Sequence, residues 1–397
     1  MNWRILLTFP IAGLATLAGV NAVVNATRVA APDVALKVSP HDGGALASRA
    51  NLQWAQAGQA GKVLDQTKAA KAALKDVALL PAALRLAGYG ADLTGNQKKA
   101  ETLNLLATRV SRRESAAQLW LMEAAVARND VKAVLARYDV VLRTNGGARD
   151  KLFPLLATAL SDPEIRDAFV PYVRQAPNWL IPFASYAAVT SPTPDALSYA
   201  LRQAGGLPKT EEARSLESGL LAQLLAKQKF AEARAFYLTL RGAVGQVTVS
   251  SALNAASIDS RFAPITWYLE RGANIGAELG GGEKTRELRV FALSGESGLA
   301  ANKYLYLSPG SYRFVPRYNV TVNSANARAF WAIRCMASVD APVIYQYDMI
   351  RSPRAASPTE AFTVSSNCPV QRLDLNVAGG DDTGGLEMVV SQAAIGR

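Results

Sequence analysis

Apolar residues change their spacing once along this chain, and the change separates a helical part from a strand-forming part. From about residue 44 to about residue 245 they recur three or four positions apart, and Ala and Leu dominate. That spacing places apolar side chains on one face of a helix, so it predicts a mostly α-helical region. Gly95-Asn96 and Asn129-Asp130 carry turn-forming residues and are predicted to connect helices.

The C-terminal part has the pattern of strands. After the Gly280-Gly281-Gly282 cluster, short alternating runs rich in aromatic and β-branched residues are separated by Gly, Pro, Asn, Asp and Ser. Alternation with a period of two is typical of strands that bury one face. Eight strands are predicted, over residues 287–293, 303–307, 311–315, 329–335, 343–347, 361–364, 371–377 and 387–392. Short strands at such close spacing predict an antiparallel β-sandwich or jelly roll.

The N-terminus contains an uncharged apolar stretch, Ile5–Val24. A helix of that length is about 30 Å long, which matches the hydrocarbon thickness of a bilayer. Because Arg4 precedes the stretch, it predicts a single-pass anchor that leaves the short N-terminus in the cytoplasm and sends the rest across the membrane. A cleavable signal peptide is the alternative, since small residues stand at cleavage-like positions ending at Ala22 and Ala26.

Small residues in the helical region recur with a period. They stand at Ala87, Gly88, Ala91, Ala100, Ala107, Ala117, Ala124 and Ala133. Ala133 follows Ala100 by 33 residues. This register resembles the tetratricopeptide repeat, whose period is near 34 and whose small residues stand where two helices cross. Repeat-ending prolines are mostly absent, and prolines such as Pro171 interrupt the pattern between residues 146 and 205. A more general α-solenoid of helical pairs therefore remains the alternative.

The repeat resemblance carries an expectation about binding. A solenoid stacks helical pairs around an extended inner groove, so the resemblance implies a protein or peptide partner rather than catalysis. The first helix of each pair builds most of that groove. Four residues at non-core positions of such helices are candidates to line it: Arg85, Tyr89, Gln118 and Glu123.

The C-terminal part has a resemblance of its own. The residues on which this resemblance rests are Leu305–Tyr312, Trp331–Cys335, and Phe362-Thr363-Val364 followed by Cys368-Pro369. This part of the chain is similar to the jelly-roll, carbohydrate-binding-module-like domains of bacterial envelope proteins associated with polysaccharide export. The resemblance implies glycan binding, for which aromatic rings stack on sugars while polar groups bond the hydroxyls. The candidate residues are Trp267, Tyr304, Tyr306, Tyr345 and Tyr347. Trp331 shares strand parity with Ile333 and Cys335 and is expected in the core.

The chain contains two cysteines, Cys335 and Cys368, both in the strand-forming part. A pair of cysteines in one exported domain predicts a disulfide, with two unpaired buried thiols as the alternative. Such a bond contributes about 3 to 4 kcal/mol by the loop-entropy relation. Metal binding is not expected, because the single histidine, His41, lies far away in sequence.

The charge distribution and the missing motifs argue against nucleic-acid binding and against several common classes of enzyme. The formal net charge is +11, and the excess lies in residues 33–246, with 27 Lys and Arg against 19 Asp and Glu. These basic residues are scattered beside acidic ones and form no stripe, so a nucleic-acid partner is not expected. The sequence has no nucleophile elbow, phosphate-binding loop or zinc-protease motif, and His41 provides no convincing catalytic base.

These observations predict a multidomain α + β protein. Residues 1–30 form a membrane anchor or signal segment, residues 31–245 a tetratricopeptide-like α-helical domain, and residues 246–397 a β-sandwich or jelly-roll domain. The expected function is a non-catalytic scaffold without a cofactor, linked to polysaccharide export or assembly. It is expected in the bacterial inner membrane with its bulk in the periplasm, or as a soluble periplasmic protein after cleavage. Its expected partners are the membrane through residues 5–24, an envelope protein and an anionic polysaccharide. A polysaccharide-acting enzyme and a secretion-machine subunit are the alternatives.

Overall fold

The computed structural model describes residues 18–56, 63–190, 193–281, 286–351 and 361–397. Their contacts define two compact units. The first contains the described residues up to Leu156, with Asp162–Phe169 and Pro177–Trp179. The second contains Ala157–Ser161, Val170–Ala176 and the described residues of Leu180–Arg397.

Most of the predicted membrane segment, Ile5–Val24, lies outside the described residues. Residues 18–27 are helical and are called α1. Within the part of the chain that the structure describes, every helix is too short or too polar to cross a bilayer.

The region that the sequence predicts to be α-helical consists mostly of α-helices in the structure. Its remaining helices are α2 (Pro32–Val38), α3 (Gly43–Gln56), α4 (Val63–Asp76), α5 (Pro81–Leu93), α6 (Gln97–Val110), α7 (Ser115–Ala127), α8 (Val131–Thr144), α9 (Arg149–Ala159), α10 (Pro163–Gln175), α11 (Leu180–Thr190), α12 (Pro194–Ala204), α13 (Glu211–Ala226) and α14 (Phe230–Tyr237). From α3 to α8, each helix packs on the next, and α3 also contacts α5.

Local chemistry explains where the helices of the first unit end. Gly95 has a positive φ of 76° and Asn129 one of 54°, which are left-handed conformations at the two predicted turns. Asn96 then caps α6 by accepting from the Lys99 N–H at 3.1 Å, and Asp130 caps α8 in the same way. Both predicted turns are therefore confirmed.

Small residues bring α5 close to its neighbours. A Cβ atom on Gly90 would lie 2.3 Å from the Thr67 hydroxyl of α4, and one on Gly88 would lie 2.7 Å from the Asn104 amide of α6. Ala100 and Ala107 are fully buried on α6. Close approach of helix axes thus requires the small residues that the repeat pattern contains.

The strand-forming part is an antiparallel β-sandwich of two five-stranded sheets, as the sequence predicts. The strands are β1 (Tyr268–Leu269), β2 (Ile275–Gly281), β3 (Arg286–Ala292), β4 (Ser297–Leu305), β5 (Gly310–Asn323), β6 (Arg328–Cys335), β7 (Val343–Asp348), β8 (Ala361–Val364), β9 (Gln371–Ala378) and β10 (Leu386–Gly396). The first sheet has the order β1-β4-β9-β6-β7, and the second has the order β2-β3-β10-β5-β8. Each predicted strand corresponds to one of these, while β1 and β2 were not predicted.

Aromatic side chains and the disulfide fill the space between the sheets. Trp331 is fully buried, with its ring 5.9 Å from that of Trp267 and 5.5 Å from that of Phe314. Cys335, at the end of β6, is bonded to Cys368, with their Cα atoms 5.6 Å apart. The predicted disulfide and the predicted core position of Trp331 are confirmed.

The last helix packs on the first sheet within the second unit. The Tyr306 hydroxyl donates to the Phe230 carbonyl of α14 at 3.0 Å, and the Phe230 and Tyr304 rings lie 5.2 Å apart. The Arg234 guanidinium lies 5.2 Å from the Tyr306 ring centroid. Although the predicted boundary at residue 245 separates helices from strands, the contacts group the four helices α11 to α14 with the sandwich.

Candidate functional site

Three of the predicted sugar-binding aromatic residues are buried. Trp267 is 2% exposed and belongs to the core between the sheets. Tyr304 and Tyr306 are 8% and 6% exposed, because α14 covers them. Burial raises the pKa of both tyrosine hydroxyls. Stacking on a sugar requires a free ring face, which these three positions do not present.

The other two predicted aromatic residues lie on β7, the edge strand of the first sheet. Tyr345 packs 5.3 Å from the Phe362 ring of β8 and 6.2 Å from the Phe314 ring. The Tyr347 and Tyr318 hydroxyls lie 3.3 Å apart, and Tyr318 also donates to the Met349 carbonyl. These half-buried tyrosines join β7 of the first sheet to β5 and β8 of the second.

A different part of the first sheet combines an aromatic ring with polar groups. Phe330 on β6 and Asn376 on β9 are direct cross-strand partners. Trp331 and Val377, their neighbours along the chain, point into the core. Successive side chains alternate between faces, so Phe330 and Asn376 lie together on the outer face. Both are half-buried, and Asn376 Nδ2 has no hydrogen-bond partner among the described residues.

These two residues form part of an open depression of about 540 Å³. Its polar lining residues include Glu296, Arg328 and Asp381, and we call Phe330, Asn376 and these three residues the sheet depression. Asn274 donates to the Glu296 carboxylate at 3.0 Å, and Asn326 donates to the Asp381 carboxylate at 2.8 Å. Neighbouring amides therefore hold both carboxylates in place.

The sheet depression continues into a second one. A neighbouring depression of about 470 Å³ is lined by Glu270, Asn274 and Ile275, and shares Gly298 with the first. A Cβ atom on Gly298 would lie 3.0 Å from the Ile275 side chain. Gly298 therefore lines both depressions without a side chain that would press on Ile275.

Ion pairs occupy the same outer face farther along the strands. Asp374 on β9 is almost fully buried and accepts from Arg372 at 2.7 Å and from Arg334 at 3.2 Å. The hydrogen bond to Asp374 raises the pKa of Arg372. Two arginines share one carboxylate, so this part of the face keeps a net positive charge.

Two of the four predicted groove residues are buried in the helical unit. Arg85 is 2% exposed; its Nε lies 2.8 Å from the Glu114 carboxylate, and its Nη2 donates to the Asn51 side chain. Gln118 is also 2% exposed and accepts from Arg137 at 3.0 Å. Both residues connect helices to one another rather than facing an open surface.

The other two predicted groove residues line a pocket. Tyr89 of α5 and Glu123 of α7 face a cavity of about 370 Å³, together with Trp54 of α3, Asp92 of α5 and Trp120 of α7. We call these five residues the Trp pocket. The alternate helices α3, α5 and α7 provide its walls. Burial raises the pKa of the Tyr89 hydroxyl, so this group stays neutral at physiological pH.

Metal binding receives no support from the geometry. Within the described ranges, no three His, Cys, Asp or Glu side chains are grouped closely enough to hold an ion.

The sheet depression was not predicted from the sequence. It is built from three segments far apart in the chain, near residues 295–298, 326–330 and 376–381. Two features of the sequence could have indicated this site. Phe330 alternates with Trp331 along one strand and therefore faces the other side of the sheet, and Asp381 lies in a Gly-rich turn.

Comparisons with known proteins identify no family. No protein-family model and no curated protein matches this chain. One matching solved structure contains the CBM22-1 and GH10 modules of endo-1,4-β-D-xylanase 10B from Clostridium thermocellum, complexed with xylohexaose. That match covers 33% of this chain and 26% of the xylanase chain, with 14% sequence identity and a TM-score of 0.21. A similarity this weak carries no argument about function, so this chain is not assigned to a family.

Proposed function

We propose that this chain is a non-catalytic binding protein whose β-sandwich holds a glycan in the sheet depression and whose helical region holds a protein partner. The observation that carries the glycan part is the cross-strand pair of Phe330 and Asn376 on the outer face of the first sheet. It combines a partly exposed ring with a solvent-shielded amide nitrogen that has no hydrogen-bond partner in the described chain.

Sugars match this combination of groups. The axial hydrogens of a pyranose form an apolar face that stacks on an aromatic ring, while its hydroxyls accept and donate hydrogen bonds around the rim. Phe330 supplies the ring, and the fixed carboxylates of Glu296 and Asp381 supply acceptors. The neighbouring depression, which shares Gly298, extends the surface in the direction of a longer chain.

The arginines of the outer face support an anionic polysaccharide, whose carboxylates must approach Arg328 rather than Glu296 and Asp381 of the same depression. Arg328 is an exposed rim residue of the depression, and Arg334 and Arg372 lie farther along the same face. Only Arg pairs a carboxylate in two parallel hydrogen bonds, as Arg372 does with Asp374. A uronic acid residue offers the same carboxylate to Arg328.

The helical region is proposed to bind protein as a tetratricopeptide-like solenoid. Consecutive packing from α3 to α8, capped turns at Asn96 and Asp130, and close contacts at Gly88 support that repeat type. In the second unit, consecutive strands often change sheet, as β4, β5 and β6 do, and this supports a jelly-roll topology.

The proposed location is the bacterial envelope. The Cys335–Cys368 disulfide persists in an oxidising compartment such as the periplasm. The apolar stretch Ile5–Val24 supports delivery there, as an inner-membrane anchor or as a cleaved signal.

Binding to an oligosaccharide panel tests the proposed glycan site. The full chain is screened against neutral gluco-oligosaccharides and against oligosaccharides of uronic acids, at two salt concentrations. We expect uronic acid binding that weakens at high salt, since exposed charge pairs are screened. Asn376→Ala should weaken it about three- to tenfold, the usual contribution of one hydrogen bond.

Charge variants supply the matched control. Arg328→Gln should weaken uronic acid binding, whereas Arg313→Gln removes an equally exposed arginine from β5 of the other sheet and should leave it unchanged. If no oligosaccharide binds, or if binding is the same in the Asn376→Ala variant, the proposed glycan site is wrong.

A further inference from the structure

The Trp pocket of the helical unit carries an inference about the chemistry of the protein partner. Its volume of about 370 Å³ falls within the range of small-ligand sites and suits one side chain or a short segment of chain. The ring centroids of Trp54 and Tyr89 lie 5.5 Å apart, with their planes tilted by 46°. Two helices therefore present neighbouring aromatic rings to one cavity.

Hydrogen bonds fix the walls of the pocket before any ligand binds. Trp120 Nε1 donates to the Asp92 carboxylate at 2.9 Å, and the Tyr89 hydroxyl donates to the Ala116 carbonyl at 2.9 Å. Both bonds join α5 to α7. A preformed wall costs less conformational entropy on binding than one that must become ordered.

The charge in the pocket is negative although the surrounding region is basic. Asp92 and Glu123 are its charged lining residues, and no Lys or Arg lies among the described residues that line it. Residues 33–246 nevertheless hold 27 Lys and Arg against 19 Asp and Glu. A concave site with carboxylates and aromatic faces attracts a cation, because both groups present negative potential.

Arg85 shows that the same rings already accept a guanidinium. Its central carbon lies 5.2 Å from the Trp54 ring centroid and 5.3 Å from that of Tyr89. The Glu114 carboxylate at 2.8 Å neutralises Arg85, so this arginine does not compete for the pocket carboxylates. Asp92 already accepts from Trp120 and from Gln97, which leaves Glu123 as the main carboxylate for a second cation. An anionic polysaccharide would instead meet two like charges there.

We propose that the Trp pocket binds the ammonium or guanidinium group of a Lys or Arg side chain that a partner protein presents. This inference refines the protein-binding part of the proposed function and does not depend on the glycan part. The aliphatic stem of the side chain lies against the aromatic rings, and its charged end approaches Glu123 and Asp92.

Small probes in the full-length protein test the inference. The tryptophans are labelled with ¹⁵N, and the indole signals are followed during titration with N-acetyl-lysine methylamide, its arginine analogue and neutral N-acetyl-norleucine methylamide. Trp54→Phe and Trp120→Phe assign the two relevant signals. We expect the cationic probes to shift these signals with millimolar dissociation constants, and the norleucine probe to bind at least threefold more weakly.

A charge variant and its control locate the binding. Glu123→Gln should weaken binding of the lysine probe at least threefold, while Glu212→Gln, at an exposed site on α13, should leave it unchanged.

Equal shifts with the norleucine probe would overturn the inference and define an apolar pocket. Shifts produced by a uronic acid oligosaccharide at the same indoles, or the absence of any shift at 50 mM lysine probe, would also overturn it. Oligosaccharide binding by the Asn376 site, measured on the same sample, separates failure of this inference from failure of the glycan proposal.

Discussion

Lys303 places an ammonium group inside the second unit, and its removal provides the sharpest test of the packing. The residue lies on β4, is fully buried, and donates from Nζ to the Ile265 carbonyl at 2.9 Å. Burial lowers the pKa of Lys303 from 10.5 to about 7, because the charged form loses its hydration. Lys303→Met keeps most of the side-chain volume and removes the charge.

The expected change in the free energy of unfolding follows from the difference between the pKa values of Lys303 in the folded and unfolded chain. Between pH 7 and pH 10.5 the unfolded chain binds more protons at this lysine than the folded chain, so the stability of the wild type rises with pH across that window. At 1.36 kcal/mol for each pH unit, the penalty below pH 7 amounts to about 5 kcal/mol. The Met variant loses a hydrogen bond of about 1 kcal/mol. We therefore expect it to be about 3 to 4 kcal/mol more stable than the wild type at pH 6.

Urea unfolding at several pH values measures this effect. The advantage of Lys303→Met should shrink by about 3 kcal/mol between pH 6 and pH 9.5. Tyrosines of the unfolded chain begin to ionise near pH 9.5, but they do so equally in both proteins, so their contribution cancels in the comparison. Lys209→Met, at an exposed lysine, serves as the control and should show no such pH dependence. A Lys303→Met variant that is less stable at pH 6, or an advantage that is constant with pH, would show that a charged Lys303 does not destabilise the folded chain.

Two further predictions concern stability. Reduction of the Cys335–Cys368 bond, which spans 33 residues, should lower the free energy of unfolding by about 4 kcal/mol. Urea titrations with and without a reductant measure this change, and the variant with both cysteines replaced by Ala should not respond to the reductant. Equal midpoints for the wild type with and without the reductant would contradict this prediction. Tyr306→Phe should cost about 1 to 2 kcal/mol, because the buried Phe230 carbonyl loses its donor, while Tyr268→Phe at an exposed site should change the same urea midpoint little. A Tyr306→Phe midpoint equal to that of the wild type would show that α14 does not hold this tyrosine.

Local patterns predicted most of the secondary structure. The turns at Gly95-Asn96 and Asn129-Asp130 were predictable because the residues that form them also cap the next helix. The position of Trp331 was predictable because parity along one strand determines which face a side chain occupies. The disulfide followed from the presence of just two cysteines in one domain.

Contacts between distant segments account for what was missed. The alternation at Tyr304 and Tyr306 could not reveal that α14, more than sixty residues earlier in the chain, covers both rings. Pro171 was expected to break the pattern, yet it lies inside α10. The two-residue strand β1 is too short to produce a periodic signal. In the same way, the parity of Phe330 places it on the outer face, but only the folded chain brings the segments near residues 295–298 and 376–381 beside it.

Phe330 is the proposed stacking platform of the glycan site, and calorimetric titration measures its contribution to binding. The full-length wild type and Phe330→Ala are titrated with the oligosaccharide that binds best in the panel, beside Leu238→Ala, which removes an exposed apolar side chain after α14. We expect at least tenfold weaker binding by Phe330→Ala, equivalent to about 1.4 kcal/mol, with unchanged affinity in the control. Equal affinity in the wild type and a folded Phe330→Ala variant would contradict this expectation.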